Sequence, residues 1–198
     1  MTSQRVKAVN RILIVRLISI PLLALFLASA LPLQAAHSQN RITTPVEQFG
    51  QQLGADYFLA TYAQLQEYWA VLADESNRMV LETIGQSEEG RPQLMAVITS
   101  PENHVRLDHY REISRSLARA EGITEAEARA MAAEGKAVVW IDGGLHASEI
   151  LGHQQLMELV YRMVSRDDAE TLRILDDVIL LAVQCNPDGQ DLIADWYM

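Results

Sequence analysis

The sequence predicts an α/β fold. Two short apolar runs, residues 136–142 and 178–184, have the length and composition of buried strands. The stretch between them predicts two helices, residues 149–165 and 168–176, and strand, helical crossover and strand is the unit that builds parallel sheets. A chain of 198 residues is long enough for one domain with a sizeable core.

The first 36 residues have the pattern of a secretory signal peptide. Four basic residues precede the apolar run 17–33, and the small residues Ala35 and Ala36 follow it. A retained membrane anchor is the alternative, because residues 12–33 are nearly long enough to span a bilayer. Arg16 inside that window favours cleavage. We therefore expect an exported protein, periplasmic or extracellular, with no stable membrane insertion after signal cleavage.

Composition restricts the partners and the covalent chemistry. Removing residues 1–36 takes four of the 16 basic residues and none of the 26 acidic ones, which leaves 12 against 26 and a formal net charge of −14. Nucleic acid is excluded as a partner, because phosphate binding needs a basic face. The single cysteine, Cys185, cannot form an internal disulfide, and its place at the end of an apolar run predicts a small buried residue.

The elements before the first apolar run follow from periodicity and turn signals. Residues 37–55 predict a polar linker, and residues 56–73 have apolar side chains at helical intervals. "RMVLETIG" and "QLMAVITS" predict two strands, joined by a turn that Gly90 and Pro92 mark.

Two helices are predicted between these strands and the first apolar run. "SPE" at 100–102 is a helix start, with a capping hydroxyl, a proline and an acidic residue, and that helix is expected to end near residue 120. Thr124 with Glu127 forms the capping box of the second helix, which we expect to end at Gly135.

Polar residues follow both apolar runs. His146 and Glu149 come just after residues 136–142, and "NPDG", residues 186–189, comes just after residues 178–184. If the two strands are parallel, both segments lie at the carboxyl ends of the strands, where α/β proteins gather functional groups. A catalytic zinc site uses three protein ligands of the His and Glu type, and two residues three apart at a helix entrance can reach one ion. The alternative is two ordinary polar residues on a wet helix face, because so short a motif recurs by chance.

The other histidines and the "NPDG" segment have simpler interpretations. His153 could supply a third ligand, but it lies one turn deeper in the helix and is expected to point away from an ion at the entrance. His104 and His109 fall in a charged helix, "HVRLDHYRE", and predict a solvated face. "NPDG" fits a type I turn position by position, and its spacing assigns no chemistry to Asp188.

Three motifs in order resemble those of the zinc carboxypeptidase family, the carboxypeptidase A-like metallopeptidases. They are "GQSEEGRPQLMAV", "IDGGLHASEILG" and "NPDG", and the resemblance runs from about residue 79 to residue 198, closest to the large exported bacterial branch. It implies a zinc-carboxypeptidase-like fold, with a mixed, mainly parallel sheet flanked by helices. It also implies Zn²⁺ as cofactor and His146 and Glu149 as the first two zinc ligands. Gly90 and Arg91 match a hairpin near the active-site edge that we interpret as architectural.

The chain also departs from the family's pattern. Ala147 and Ser148 stand where many members have an arginine between the ligands, and Ile150 replaces a common tryptophan. The resemblance places the third zinc ligand, the residues that hold the substrate carboxylate and the general-base glutamate beyond residue 198, so no catalytic residue is identifiable within the chain. We therefore expect residues 56–198 to be the N-terminal part of a catalytic domain, incomplete at the carboxyl terminus and inactive by itself.

The function expected from the resemblance is that of a zinc metallopeptidase of the carboxypeptidase type, which hydrolyses peptide or protein substrates with a metal-activated water. One alternative is an N-acyl amino acid deacylase on the same fold. A second is an inactive, truncated relative that acts as a binding module, and a third is a purely structural exported domain.

Overall fold

A computed structural model describes residues 41–198 of the protein. The predicted signal peptide, residues 1–36, lies outside the described residues, as does the start of the predicted linker. The rest of that linker contains a short helix, α1 (Pro45–Phe49), which Thr44 and Glu47 begin with a reciprocal capping box. No helix within residues 41–198 is long and apolar enough to cross a membrane.

Seven further helices and four strands follow α1 in the described part of the chain. The strands are β1 (Met79–Gln86), β2 (Pro92–Ile98), β3 (Ala137–Gly143) and β4 (Val178–Gln184). The helices are α2 (Tyr62–Glu75), α3 (Pro101–His104), α4 (Leu107–Arg119), α5 (Glu125–Glu134), α6 (Ile150–Ser165), α7 (Ala169–Asp177) and α8 (Pro187–Tyr197).

The strands form one mixed sheet in the order β1-β2-β4-β3. β1 pairs with β2 and β2 with β4 in antiparallel fashion, and β3 pairs with β4 in parallel. The predicted α/β class, with a mixed sheet flanked by helices, is confirmed, and so is the parallel pairing of the two apolar runs. The expected parallel majority is wrong for the described strands, because the β1–β2 hairpin adds two antiparallel pairings.

Helices cover both faces of the sheet. The main core packs α2 and α6 against one face, where Trp69, Tyr62 and Met157 are fully buried beside Ala96 and Ile98 of β2. Val97 of β2 points to the opposite face and joins a smaller cluster with Tyr110 and Ile113 of α4. This alternation of neighbouring residues is the two-residue period of a strand buried on both faces.

The first long helix begins later than its apolar periodicity predicts. Residues 56–61 are not helical, and α2 begins after Thr61, whose hydroxyl accepts from the backbone N–H of Gln64. Phe58 and Ala60 are nevertheless buried in the main core. Their spacing reflects burial of an irregular segment, which periodicity alone does not distinguish from a helix.

The helix predicted from 101 to about 120 is interrupted. Its start is confirmed, since the Ser100 hydroxyl accepts from the Asn103 backbone N–H, but α3 ends at His104 and α4 begins at Leu107. The break follows the buried Asn103, whose side-chain amide donates to the carbonyls of Leu175 and Asp176 and ties this turn to the end of α7. The capping box predicted for α5 is confirmed.

The histidines of α3 and α4 differ in their surroundings. His109 is exposed, as predicted, and its Nε2 lies 2.7 Å from Glu134 Oε1. The expected solvated face is wrong for His104, because both of its ring nitrogens are buried without a hydrogen-bond partner in the described structure.

The first apolar run is a strand, but it is not buried as predicted. β3 lies at the end of the strand order, and Val138, Val139 and Trp140 on it are 39 to 51% exposed. By contrast, β4 lies between two strands and is largely buried. An apolar run predicts a strand here, and its position in the sheet decides how much of it is covered.

Candidate metal centre

The parallel pairing of β3 and β4 brings two polar segments together at the carboxyl ends of these strands. Asp142 pairs with Val183 and Gly143 with Gln184, so the strands end side by side. β3 is followed by residues 144–149, which we call the donor loop, and β4 by the start of α8. The two segments are joined where the Asn186 side-chain amide donates to the carbonyl of Leu145 at 3.1 Å.

His146 and Glu149 lie against one another at the end of the donor loop. His146 Nδ1 is 2.7 Å from Glu149 Oε1, and the His146 backbone N–H donates to Glu149 Oε2 at 3.0 Å. Glu149 stands at the N-cap of α6, but its carboxylate accepts from His146 and does not cap its own helix. The side chains are 72% and 49% exposed, so both donors are open to solvent.

The electrostatics of this pair favour an ionised carboxylate. The hydrogen bond from the His146 backbone N–H, followed by that from its ring, lowers the pKa of Glu149 below its ordinary value. Glu149 is therefore an anion at neutral pH, the form in which a carboxylate binds a metal.

The opposite end of the donor loop is fixed by a buried histidine. His153 is 2% exposed, and its Nε2 lies 3.3 Å from the carbonyl oxygen of Gly144. Burial lowers the pKa of His153, so a neutral ring that donates to this carbonyl fits the site. Gly144 has φ +66°, and a Cβ atom there would overlap the His153 ring. His153, the weaker candidate for a third ligand, thus contacts the loop backbone.

The donor set fits part of a zinc site. Imidazole nitrogen and carboxylate oxygen are both zinc ligands, and a catalytic site takes three such groups. Within residues 41–198 no group of three His, Cys, Asp or Glu side chains is placed to hold a metal ion. The described residues therefore bring together two donors of the kinds that zinc takes.

"NPDG" begins a helix and does not form an isolated turn. Asn186 is the N-cap of α8, with Pro187 in the first turn, and its Oδ1 accepts from the Gly189 backbone N–H at 2.8 Å. A type I turn and a first helical turn share similar dihedral angles, so the four residues fit both. Asparagine followed by proline before an amphipathic stretch is a helix-start signal that could have predicted this outcome. The contact from Asn186 to the donor loop had no signal in the sequence.

Asp188 and Arg91 connect the β1–β2 hairpin to α8. Arg91 Nη1 donates to Asp188 at 2.6 Å, and Arg91 Nε donates to Asp191 at 2.7 Å. Asp188 also accepts from the Ser87 hydroxyl and the Glu89 backbone N–H. The Ser87 hydroxyl, with smaller contributions from Glu89 and Arg91, lowers the pKa of Asp188. These contacts agree with an architectural role for the Arg91 hairpin, and they give Asp188 a structural contact that its spacing did not predict.

Cys185 lies between β4 and α8 and is only partly buried. Burial and the neighbouring Asp142 carboxylate raise the pKa of its thiol to about 11. The thiol is therefore protonated at neutral pH, which disfavours a nucleophilic role because the thiolate is the reactive form.

This chain is similar to known solved structures. No curated protein sequence matches the chain. Thrombin activatable fibrinolysis inhibitor has a similar solved structure, with 14% identity, a TM-score of 0.51 and coverage of 78% of this chain and 31% of that one. Carboxypeptidase A from Helicoverpa armigera follows, with 18% identity, a TM-score of 0.49 and coverage of 72% and 29%. The chain thus spans about a third of the length of these structures.

The sequence also matches a family model. The pattern of the zinc carboxypeptidase family covers residues 65–198, more than half of the chain, and includes the donor loop and the start of α8. This match confirms the resemblance that the three ordered motifs predicted. The chain belongs to the zinc carboxypeptidase family.

Proposed function

We propose that the protein is a zinc-dependent metallopeptidase of the carboxypeptidase type that acts on peptide or protein substrates. The observation that carries the proposal is the contact between His146 Nδ1 and Glu149 Oε1, 2.7 Å apart at the carboxyl end of β3. In a member of the zinc carboxypeptidase family, a solvent-open His–Glu pair has the chemistry of two zinc ligands.

His146 and Glu149 would hold the ion, each in a different way. The imidazole offers a neutral nitrogen, and the carboxylate, whose pKa is lowered further below neutral, offers negative charge that offsets the charge of the metal. The chemistry supplied by a bound zinc ion is a water of lowered pKa and polarisation of the scissile carbonyl. We assign no residue of this chain to the general base.

The domain boundaries and the location belong to the same proposal. Residues 1–36 would be a cleaved signal peptide, residues 37–55 a linker and residues 56–198 part of the catalytic domain, in a protein exported to the periplasm or the extracellular space. The charged and apolar pattern of the N-terminal residues supports export. Phe58 and Ala60 are buried in the main core, and Ile42, Phe49 and Leu53 of the proposed linker also pack against it.

Zinc affinity of the full-length protein tests the ligand assignment. His146→Ala and Glu149→Ala should each lower the affinity at least about tenfold, measured by competition with a chromophoric chelator. His109→Ala is the matched control, because His109 forms a similar exposed pair with Glu134, also at 2.7 Å. The assignment is wrong if His146→Ala binds zinc as tightly as the wild type.

Substrate choice separates the peptidase from its alternatives. We expect zinc-dependent release of the last residue from a peptide with a free carboxyl terminus, and slower release when that terminus is amidated. Hydrolysis of N-acyl amino acids without peptide cleavage would favour the deacylase. Peptide binding without turnover by the zinc-loaded, full-length protein would favour the binding module.

A further inference from the structure

We infer that Asn186 is a positioning residue that holds the donor loop in the shape in which His146 and Glu149 can bind one metal ion. The inference rests on the proposed function, since it concerns the same site. It goes beyond the ligand pair by assigning a role to the first residue of "NPDG", whose side chain joins α8 to the loop.

The two ends of the Asn186 amide make different bonds. Its Oδ1 accepts from the Gly189 backbone N–H at 2.8 Å, which caps α8. Its Nδ2 donates to the carbonyl of Leu145 at 3.1 Å, one residue before His146. Capping needs only an acceptor, so the donor end is available for the loop. A serine, threonine or aspartate would cap α8 equally well and would lack an amide donor.

The packing leaves little freedom around this amide. A Cβ atom at Gly189 would come within 2.6 Å of Asn186 Nδ2 and 2.9 Å of the Ala147 methyl group. The first turn of α8 therefore lies directly against both the amide and the loop residue that follows His146. Small residues at 147 and 189 permit this approach.

Buried polar groups hold the backbone of Asn186 in place. Gln184 is fully buried, and its Oε1 lies 3.4 Å from the Asn186 backbone nitrogen. Gln184 Nε2 donates to Gln190 Oε1 at 2.6 Å, and Gln190 Nε2 donates to the carbonyl of Ala60 at 2.9 Å. The exposed pair is thereby connected to the core through Asn186. Loss of a group that orients a metal ligand commonly lowers the metal affinity by about 10- to 100-fold.

The substitution Asn186→Asp separates positioning from capping. Aspartate keeps an acceptor for the Gly189 N–H but cannot donate to the Leu145 carbonyl. The added negative charge by itself would attract a cation, so a loss of zinc affinity has the opposite sign to the charge effect. Thr124→Ala, which removes the N-cap of α5, is the control for a capping loss far from the site.

Two readouts test the inference in the full-length protein. Without metal, the backbone amides of His146 and Glu149 should exchange about three- to tenfold faster in Asn186→Asp, the factor expected for the loss of one hydrogen bond. The zinc affinity should fall about tenfold. Thr124→Ala should change neither. If Asn186→Asp does not fold, Asn186→Ser, which keeps a capping acceptor and lacks the amide donor, should give the same two changes.

The outcomes distinguish this inference from the function on which it rests. Unchanged exchange at His146 and Glu149, or unchanged zinc affinity in Asn186→Asp while His146→Ala loses zinc, overturns the role of Asn186 alone. Wild-type zinc affinity in His146→Ala overturns the proposed function and, with it, the metal role of Asn186.

Discussion

The two segments that follow the parallel strands differ in burial and in what their polar groups contact. The donor loop, after β3, presents His146 and Glu149 with most or half of their side chains exposed. The start of α8, after β4, contains Gln190, which is 1% exposed and bonded to the fully buried Gln184. The potential metal donors thus lie at the surface, and the polar groups that support them lie beneath.

This difference follows from the order of the strands. Among the described strands β3 is last in the order, whereas β4 lies between β2 and β3. Within residues 41–198 the chain leaving β4 enters a covered region and the chain leaving β3 does not. Polar groups in the covered region must be hydrogen-bonded to one another, while the donors of the loop can exchange a mutual bond for a metal. Substitutions in the supporting groups should therefore lower stability, and substitutions in the donors should lower metal affinity.

Gly144→Ala should have the largest effect on stability, because it breaks the support of the donor loop at its first residue. The substitution forces a side chain into a conformation with φ +66° and places a methyl group in the His153 ring. The strained backbone costs about 1–2 kcal/mol and the overpacking about 1–3 kcal/mol. We expect the free energy of unfolding to fall by about 3 kcal/mol, measured by urea denaturation.

Gly122→Ala separates the two contributions. Gly122 has a similar φ of +68°, but a Cβ atom there would meet nothing within 4 Å. Its substitution should cost only the backbone strain, about 1–2 kcal/mol. Equal destabilisation by the two alanines would show that the contact between Gly144 and His153 does not restrain the loop.

Local signals in the sequence predicted the local structure well. The capping box of Thr124 and Glu127 and the Ser100 helix start lie where they were predicted, because a cap depends on residues three positions apart. The parallel pairing of the two apolar runs also followed from chain order. His146 and Glu149 were predicted to lie together, and a spacing of three positions at a helix entrance suffices for their contact.

Features that depend on distant neighbours were not predictable in the same way. The exposure of Trp140 results from the place of β3 in the sheet, which an apolar run does not reveal. The ring nitrogens of His104 are buried in the turn that the Asn103 amide ties to the end of α7. The contact from Asn186 to Leu145 spans 41 positions in the chain, and no pattern near either residue indicates it.

Gln190→Leu should have the next largest effect and tests the buried segment directly. Leucine leaves the Gln184 amide and the Ala60 carbonyl without the partners they have in the structure. A buried polar group without a partner costs about 1–3 kcal/mol. Two groups lose a partner here, and local relaxation that lets water reach them keeps the total cost below the sum of two such penalties. We expect a loss of about 2 kcal/mol in the free energy of unfolding, from urea denaturation.

Gln66→Leu is the matched control for this loss. The Gln66 amide also donates to a carbonyl, that of Pro92 at 3.2 Å, but in an exposed setting. Water replaces such a bond, so the change should stay within about 0.5 kcal/mol. A similar loss in both variants would mean that burial of the Gln184–Gln190 pair does not matter.

Asp188→Asn should have a smaller effect that depends on pH. The pKa of Asp188 is lowered below its ordinary value of 3.8, chiefly by the Ser87 hydroxyl and further by Glu89 and Arg91. Its carboxylate therefore contributes stability that is fully present above the unfolded-state pKa and is lost as the pH falls through the lower, folded-state pKa. The urea midpoint of Asp188→Asn should lie below that of the wild type at pH 7, and the difference should shrink below pH 4. A difference that is the same at pH 7 and at pH 2.5 would assign the loss to packing.

His146→Ala should have the smallest effect on stability, and it sharpens the comparison most. The His146 ring contacts Glu149 at the surface, and 72% of the side chain is exposed, so its removal leaves no buried group without a partner. Surface ion pairs of this kind contribute little to folding, and the urea midpoint of the metal-free protein should equal that of the wild type. Adding zinc to the full-length protein should then raise the midpoint of the wild type more than that of the variant, because a ligand that binds only the folded state stabilises it. Gly144→Ala should instead lower the urea midpoint even in the metal-free protein. A large loss of stability in metal-free His146→Ala would place His146 among the supporting groups and remove the distinction between the two segments.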